Sequence, residues 1–408
     1  MGRLLKLAAL CSALLCALGC GAAGAADWDV SLDTRLVASD GQRSFLDGGL
    51  GATRFGENRS GLDLGRFRVA LRQPIGSILA LRLDASSWGG HEKNPIDLTE
   101  AYFELRPYPR AGFRARVKAG AFYAPISLEN RAAGWESPYT LSSSAIDSWI
   151  AEELRTIGVE TQIDWLGTHL GHEFDLALVG AAFGWNEPAG VALASHGFAL
   201  DDNQTTLFGR VGVPGAQPVK GFEEFREIDG RVGTYGGVEI RWLGRVTVRA
   251  LHYDNNADPA SFDAALGEHA WATHFDAAGA RFESDAWTVI TQWMQGETYV
   301  APAGLSELEW PFRARYVLVS RQWRRNTFSL RYDEFEVDAE PPNQRGIQNG
   351  HALTAAYIYT AGPRWRFTLE WLHVRSSQSN RAIFLGETPL ATENLAQLAV
   401  RYALNGSF

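Results

Sequence analysis

Cations fall on even-numbered steps in two short stretches, Arg66, Arg68 and Arg72, and Arg114, Arg116 and Lys118, and a single Arg82 stands between Leu81 and Leu83. In an extended chain, residues two apart share a face. Each stretch therefore sets its charges on one side and apolar residues such as Phe67, Val69 and Leu71, or Ala115, Val117 and Ala119, on the other. A separate stretch, residues 123–154, carries the carboxylates Glu129, Glu136, Asp147, Glu152 and Glu153. Fixed guanidinium groups facing fixed carboxylates make a transverse field, which orients dipolar solutes and selects ions by sign. Arginine suits anions because its fork is planar and always charged. Bond-breaking chemistry has no comparable set: there is no Gly-x-Ser-x-Gly elbow, no His-Glu-x-x-His and no phosphate-binding glycine loop. A lipase-like enzyme would need a serine within reach of a histidine, and Ser142-Ser143-Ser144 is the first place to look. His169 and His172 flank one tight turn without a third ligand nearby and read as surface histidines. The acidic run Glu223-Glu224-Glu227-Asp229 could hold a divalent cation or ions bridging lipopolysaccharide, but reads first as a solvated loop, so no metal and no cofactor are expected.

These charges need strands to place them. Alternation of apolar and polar residues runs through Trp28–Asp33, Arg66–Arg72, Leu79–Asp84, Ile157–Trp165, Trp287–Trp293, Trp365–Trp371 and Leu398–Tyr402, and means one wet and one apolar face. Sixteen strands are predicted, at 28–38, 61–72, 77–88, 97–106, 113–122, 155–165, 173–184, 231–242, 246–254, 269–278, 285–298, 312–323, 326–337, 350–361, 364–375 and 394–408. Short connections such as Arg324-Arg325 and Gly362-Pro363 alternate with long ones at 39–60, 123–154, 185–230, 338–349 and 376–393. That alternation is the pattern of an all-β transmembrane antiparallel β-barrel. A soluble sandwich would alternate in period two as well, but does not call for long and short connections in turn. All 16 prolines fall in predicted turns, loops or strand margins, as a ladder that needs every N–H requires. Thr205–Val213 reads as a strand by itself, but parity places it in the long external loop 185–230; a hairpin hidden there would make eighteen strands. Trp28, Trp88, Trp165, Trp242, Trp287, Trp323 and Trp365 sit near strand ends, where girdle aromatics belong.

Residues 1–26 read as a signal peptide: Arg3 and Lys6, an apolar stretch Leu7–Leu18 broken by Ser12, then Ala23-Gly24-Ala25-Ala26 as the cleavage region. All three cysteines, Cys11, Cys16 and Cys20, lie inside it, and Cys20 raises the alternative of lipidation. Residues 27–408 would then hold no thiol for a disulfide, a metal or a nucleophile. Two of the 38 basic residues leave with the segment, so 36 stand against 47 acidic ones, a balance of −11 that argues against a nucleic-acid partner. Beyond residue 26 no apolar run reaches the ~20 residues of a membrane helix.

The last strand, Leu398-Ala399-Val400-Arg401-Tyr402-Ala403-Leu404 closing on Phe408, resembles the terminal assembly signal of outer-membrane barrels, carried by Tyr402 and Phe408. Ala101-Tyr102-Phe103-Glu104, then Val117-Lys118-Ala119-Gly120 and Pro125-Ile126-Ser127-Leu128-Glu129-Asn130, resemble trimeric sixteen-strand porins, in particular the phosphate-selective porin group. Lysine departs from that pattern, since Lys93, Lys118 and Lys220 are the only ones after residue 26. The resemblance implies an outer-membrane porin for passive diffusion of small hydrophilic solutes, anions among them. It also implies a homotrimer, insertion by the barrel-assembly machinery, contact with lipopolysaccharide, and a constriction loop at 123–154 between strands 5 and 6. The rival readings are a lipase-like barrel enzyme and a plugged binding or scaffold barrel working through its external loops.

Overall fold

The computed structural model describes residues 25–88, 96–212, 221–304, 306–339 and 344–407. Residues 1–24 of the expected signal peptide, with the three cysteines, and Lys93, Lys220 and Phe408 lie outside the described residues. Sixteen antiparallel strands close into one barrel: β1 Asp27–Ser39, β2 Ser60–Ile75, β3 Leu79–Ser87, β4 Asp97–Leu105, β5 Phe113–Tyr123, β6 Arg155–Trp165, β7 Phe174–Gly184, β8 Gly233–Trp242, β9 Val246–Asp254, β10 Ala272–Glu283, β11 Trp287–Val300, β12 Leu308–Trp323, β13 Asn326–Val337, β14 Gln348–Thr360, β15 Trp365–Gln378 and β16 Leu390–Ser407. Each pairs with its sequence neighbour, and β16 returns to β1 from Asp27↔Ser407 to Ser39↔Leu395. Closure leaves no edge, so every strand is hydrogen-bonded on both sides without disulfides. Thr205–Gly212 forms no barrel strand, which settles sixteen over eighteen.

Two details depart from the sequence expectation. His269 belongs to a two-residue ribbon, Phe262–Asp263 with Glu268–His269, and β10 starts only at Ala272. Pro74 and Pro311 lie within strands rather than outside them. Pro74 is harmless because it pairs with Ala80 beside the turn. Pro311 accepts from Asp338 N through its carbonyl at 2.8 Å, so its nitrogen faces the same side, just where β13 has ended. Its missing N–H removes almost nothing from the ladder.

Leu32, Phe103, Val159, Ile163, Leu178, Ile240, Val248, Val317, Leu330, Leu369 and Leu398 all point outward and are exposed. So large an apolar outer surface is stable only in hydrocarbon. At the short-turn end it is rimmed by exposed Trp242, Trp287, Trp323 and Trp365. Trp88 is a correction to the girdle: it is buried, with the Arg66 guanidinium 4.8 Å over its ring.

The inside differs from a uniformly wet bore. On β1–β6 the inward residues are mostly polar, among them Asp33, Arg35, Arg66, Arg68, Asp84, Glu104 and Glu160. On the loop half of β9–β15 they are apolar: Tyr253, Phe275, Met294, Phe312, Tyr316, Phe335 and Leu372. Three connections fold inward onto that apolar wall. Residues 124–154 carry helix α1, Ala145–Glu153, started by Ser144, whose hydroxyl accepts from Asp147 N. Residues 185–232 carry helix α2, Val191–His196. The β1–β2 connection adds Ala52 and Phe55. Trp149, Ile150, Leu193, Phe198 and Leu200 from these loops are fully buried against the wall. Of the stretch predicted as a long external loop at 185–230, the described residues 186–206 are thus largely internal, because their apolar side chains bury better on β10–β13 than in water.

Candidate functional site

Beneath the inserted loops a cavity of about 840 Å³ opens toward the short-turn end. Alternation on β2, β3 and β5 delivers Arg68, Arg72, Arg82, Arg116 and Lys118 to it, and Arg131 and Arg249 complete seven cations against the carboxylates of Asp27, Asp29, Asp84 and Glu100. The wall charges are held in pairs. Arg68 Nε donates to Asp84 Oδ2 at 2.7 Å, and Arg82 Nε donates to Glu104 Oε2 at 2.7 Å. Lys118 Nζ lies 3.1 Å from Glu160 Oε1 and 5.6 Å from the centre of the Tyr102 ring. Arg116 Nε is buried without a partner among the described residues, and its Nη2 donates to Gln162. Arg114 stays at the mouth, more exposed, paired with Asp164 through Nε at 2.8 Å, and does not line the cavity.

The cavity ends on the loop 124–154. Tyr123 and Trp135 stack there with ring centres 4.4 Å apart. Beyond them the space shrinks to about 20 Å³ between Arg35, Glu136, Asp202, Gln204, Arg366 and Arg401. Arg66 Nη1 donates to Glu136 Oε1 at 2.9 Å, and Arg401 Nη1 grips the other oxygen. Burial works against the Glu136 carboxylate, but Arg401 and Arg66 outweigh it and hold the carboxyl at about 2. Asp202, from the connection 185–232, accepts from Arg35 Nη2 at 2.6 Å and Arg54 Nη1 at 3.0 Å.

Of the five loop acids expected to face the opening, Glu136 alone reaches it. Glu129 is fully buried, 2.6 Å from Arg331 Nη1. Asp147 accepts from Ser127 Oγ at 2.9 Å inside the loop core. Glu152 is buried 3.3 Å from His196 Nε2. Glu153 accepts from Gly190 N at 2.8 Å and from Ala192 N and Trp149 Nε1, tying α1 to α2. Burial is the main cause that pushes the Asp147 and Glu152 carboxyls up and raises Glu153 to about 7. They are struts between loop and wall because α1 wedges whole into the bore, leaving it no wet face.

Ser142 Oγ donates to Glu370 Oε1 at 2.7 Å, Ser143 Oγ accepts from Asn130, and Ser144 caps α1. Among the described residues none of the three is hydrogen-bonded to a histidine, so the place to look for a lipase nucleophile holds the loop instead. His172 lies 5.1 Å from the Trp165 ring in its turn.

No family model matches the chain, and no curated protein matches it. Solved structures do match. The outer membrane channel DcaP of Acinetobacter baumannii is 12% identical, with a TM-score of 0.54 over 95% of this chain and 99% of that one. OmpF of Salmonella typhi, solved in complex with daunomycin, is 10% identical with a TM-score of 0.54 over 93% and 97%. In-vitro folded OmpT of Vibrio cholerae, in its trimer form, is 10% identical with a TM-score of 0.53 over 94% and 100%. This chain has a sixteen-strand porin fold. At such identities the porin likeness speaks for the fold alone, and the site must be read from its own residues.

Several residues of this porin fold's site were missed in the sequence. Asp29, Asp84, Glu100, Glu104 and Arg401 could have been found by extending the parity rule to β1, β3, β4 and β16. Asp202 and Gln204 carried no signal, since nothing local tells that their loop turns inward. Glu187, Glu227 and Asp229 also come together at the loop end, although Glu223 leaves that acidic run to pair with Arg210 at 2.6 Å.

Proposed function

We propose that this protein is an outer-membrane porin through which small hydrophilic solutes diffuse passively, with anions preferred. The carrying observation is the cavity whose wall sets seven cationic side chains against four carboxylates and leads to the Arg66–Glu136–Arg401 cluster. An anion entering from the short-turn end meets lining cations that outnumber the lining carboxylates, and although Glu104, Glu160 and Glu239 pair with Arg82, Lys118 and Arg249 from behind, the guanidinium groups keep donors to spare. Glu136 subtracts charge at the narrowest point and sets the field across it. The balance of −11 read from the sequence does not oppose this, because most of the loop acids are tied up away from the cavity.

Export by the segment 1–26, recognition of the last strand through Tyr402 and Phe408, and contact of the outer wall with lipopolysaccharide belong to the same reading. So does a homotrimer. The outer face of β1–β5 suits self-association: it is apolar up to Leu36 and Leu62 near the loop end, with Ala85, Ala101, Ala115 and Ala119 allowing close approach.

The test is conductance of the purified protein in a planar bilayer under a salt gradient. The reversal potential is expected to favour anions, and Arg82→Ala together with Arg116→Ala is expected to move it toward cations. An unchanged potential in that double variant sinks the anion reading.

One observation favours a second reading, a plugged barrel that acts through its loops. The inserted loops form an aromatic core against the wall, and little space remains at the Glu136 level. Absence of any conductance from a folded, heat-modifiable barrel would select it.

A further inference from the structure

The two feet of the β7–β8 connection close on three carboxylates. Glu187 stands just past the end of β7, and Glu227 and Asp229 stand shortly before β8. One oxygen from each lies within 4.8 Å of the others. Two atoms distinguish this group from a solvated acidic loop. Glu187 is only 3% exposed and its Oε2 has no hydrogen-bond partner among the described residues; Glu227 Oε1 is likewise buried and unpartnered. The remaining contacts hold the carboxylates from outside. Trp185 N donates to Glu227 Oε2 at 3.0 Å, Arg231 N donates to Asp229 Oδ1 at 2.7 Å, and Asp258 N donates to Asp229 Oδ2. Nearby arginines are engaged elsewhere: Arg226 and Arg210 with Glu223, and Arg231 with Asp258.

The buried Glu187 carboxylate cannot face two others bare. Either a proton or a cation lies between them. The donors are all oxygen, with no thiolate or imidazole, which selects a hard ion. Calcium sits roughly 2.3–2.6 Å from each oxygen ligand and takes six to eight, the rest being water or carbonyls. Two oxygens sharing one such ion lie at most about 5 Å apart, so the observed spacing needs no rearrangement.

We propose that Glu187, Glu227 and Asp229 form a calcium site that clasps both ends of the β7–β8 connection. The clasp reaches the neighbouring β9–β10 connection too, because Asp258 N is held by Asp229 and Trp271 N donates to Glu187 O. The body of the clasped loop, with Leu193, Phe198 and Asp202, is what fills the bore. Calcium therefore acts as a brace for the inserted plug, on the side facing the long-loop end. This inference concerns the loop's feet and does not depend on whether the cavity conducts.

Trp185 adjoins the site and makes a direct readout available. Terbium, added to the folded barrel in detergent, is expected to luminesce on tryptophan excitation and to saturate. Calcium should displace it, and magnesium only at much higher concentration. Glu187→Gln and Glu227→Gln should each weaken calcium displacement by roughly tenfold or more, while Asp263→Asn on the two-residue ribbon should leave it unchanged. Calcium should also slow proteolysis of the 185–232 connection in the unaltered protein and not in the two variants. Luminescence that calcium does not displace, or equal calcium affinity in a folded Glu227→Gln barrel, overturns the proposal. So does protease resistance that ignores calcium in the unaltered protein, because the carboxylates then share a proton. Should Glu187→Gln fail to fold, Glu227→Gln and Asp229→Asn give the same decision.

Discussion

Arg66 of β2 donates to Glu136 of the inserted loop at 2.9 Å, and this pair, with Arg401 of β16 on its far side, forms the roof of the cavity. Its three charges come from three segments far apart in the chain, so the roof exists only once the barrel has closed. Glu136→Gln keeps the size and removes the negative member. Two guanidinium groups are then left facing the gap, and the reversal potential under a salt gradient is expected to shift toward anions, with roughly a twofold or larger change in the permeability ratio. A shift toward cations would mean that ions bypass this point.

Gly134 supplies a second handle on the same roof. Its φ is +73°, and a Cβ there would stand about 2.5 Å from Arg68 Nε and 3.1 Å from Arg66 Nη2. Gly134→Ala combines left-handed strain of roughly 1–2 kcal/mol with displacement of the two arginines. The expected result is altered conductance and ion preference with unchanged barrel stability, checked by single-channel recording beside the heat-modifiability shift on a gel.

Arg331 is the strut of the loop rather than part of the opening. It contacts Glu129 at 2.6 Å and Asp333 at 2.8 Å, and donates to the Ser142 and Ser143 carbonyls at 2.7 and 2.8 Å, all of it buried. Arg331→Met strands two buried carboxylates, which costs about 3–5 kcal/mol. The closed ladder should survive, and the loop should not. Limited trypsin cleavage after Arg131, whose side chain is about half exposed, is expected to accelerate well over tenfold. Cleavage at the original rate would show that the apolar anchors hold the loop alone.

The contrast between roof and strut marks how far the sequence could be read. Period two and the alternation of short and long connections located all sixteen strands, three of them (β6, β9 and β13) with both ends correct, because one wet face and one greasy face leave the same trace wherever they occur. Alternation does not say which face is inside. On β12, Phe312, Ala314 and Tyr316 point into the bore while Arg313 and Arg315 point out, with side chains 67% and 69% exposed. Parity calibrated on β2 would have turned that strand round. The cause is not local. Loops that enter the bore make its upper wall dry, and above the exposed rings of Trp293, Tyr332 and Trp371 the outer wall has left the hydrocarbon. The same blindness scattered the loop acids: nothing within 123–154 told Glu136 from Glu129.

Protonation of the α1–α2 contact should make loop packing depend on pH. Burial raises the Glu153 carboxyl to about 7, above its ordinary value near 4.5. The packed loop thus binds a proton that the released loop does not between those two values, and packing strength falls as pH rises through that window. Buried Asp147 and Glu152 shift in the same direction. His196 works oppositely: burial lowers it, so it favours the packed loop above its ordinary value near 6.5 and opposes packing as pH falls. Proteolysis of the loop in the unaltered protein is expected to be faster at pH 8 than at pH 5. In Glu153→Gln the difference should shrink, with slower cleavage at pH 8. A variant that cleaves faster at pH 8 would show that the carboxylate is stabilised by its three N–H donors.

Trp149 tests whether the inserted loops and the barrel are separate cooperative units. Its ring meets Phe312 at 4.8 Å, Phe275 at 5.7 Å and Phe198 at 6.2 Å, joining α1, the wall and the β7–β8 connection in one buried cluster. Trp149→Ala removes that keystone at a cost of about 3–5 kcal/mol. The strand ladder keeps its own backbone hydrogen bonds whatever fills the bore. Two thermal transitions are therefore expected: near-ultraviolet dichroism should lose loop packing well below the temperature at which far-ultraviolet dichroism loses the sheet. Val317→Ala, on the outer wall of β12, deletes apolar volume facing lipid and should move neither. A single transition lowered equally in both signals would mean that the loop core holds the barrel together, and the division between a spanning ladder and a separate loop core would not survive it.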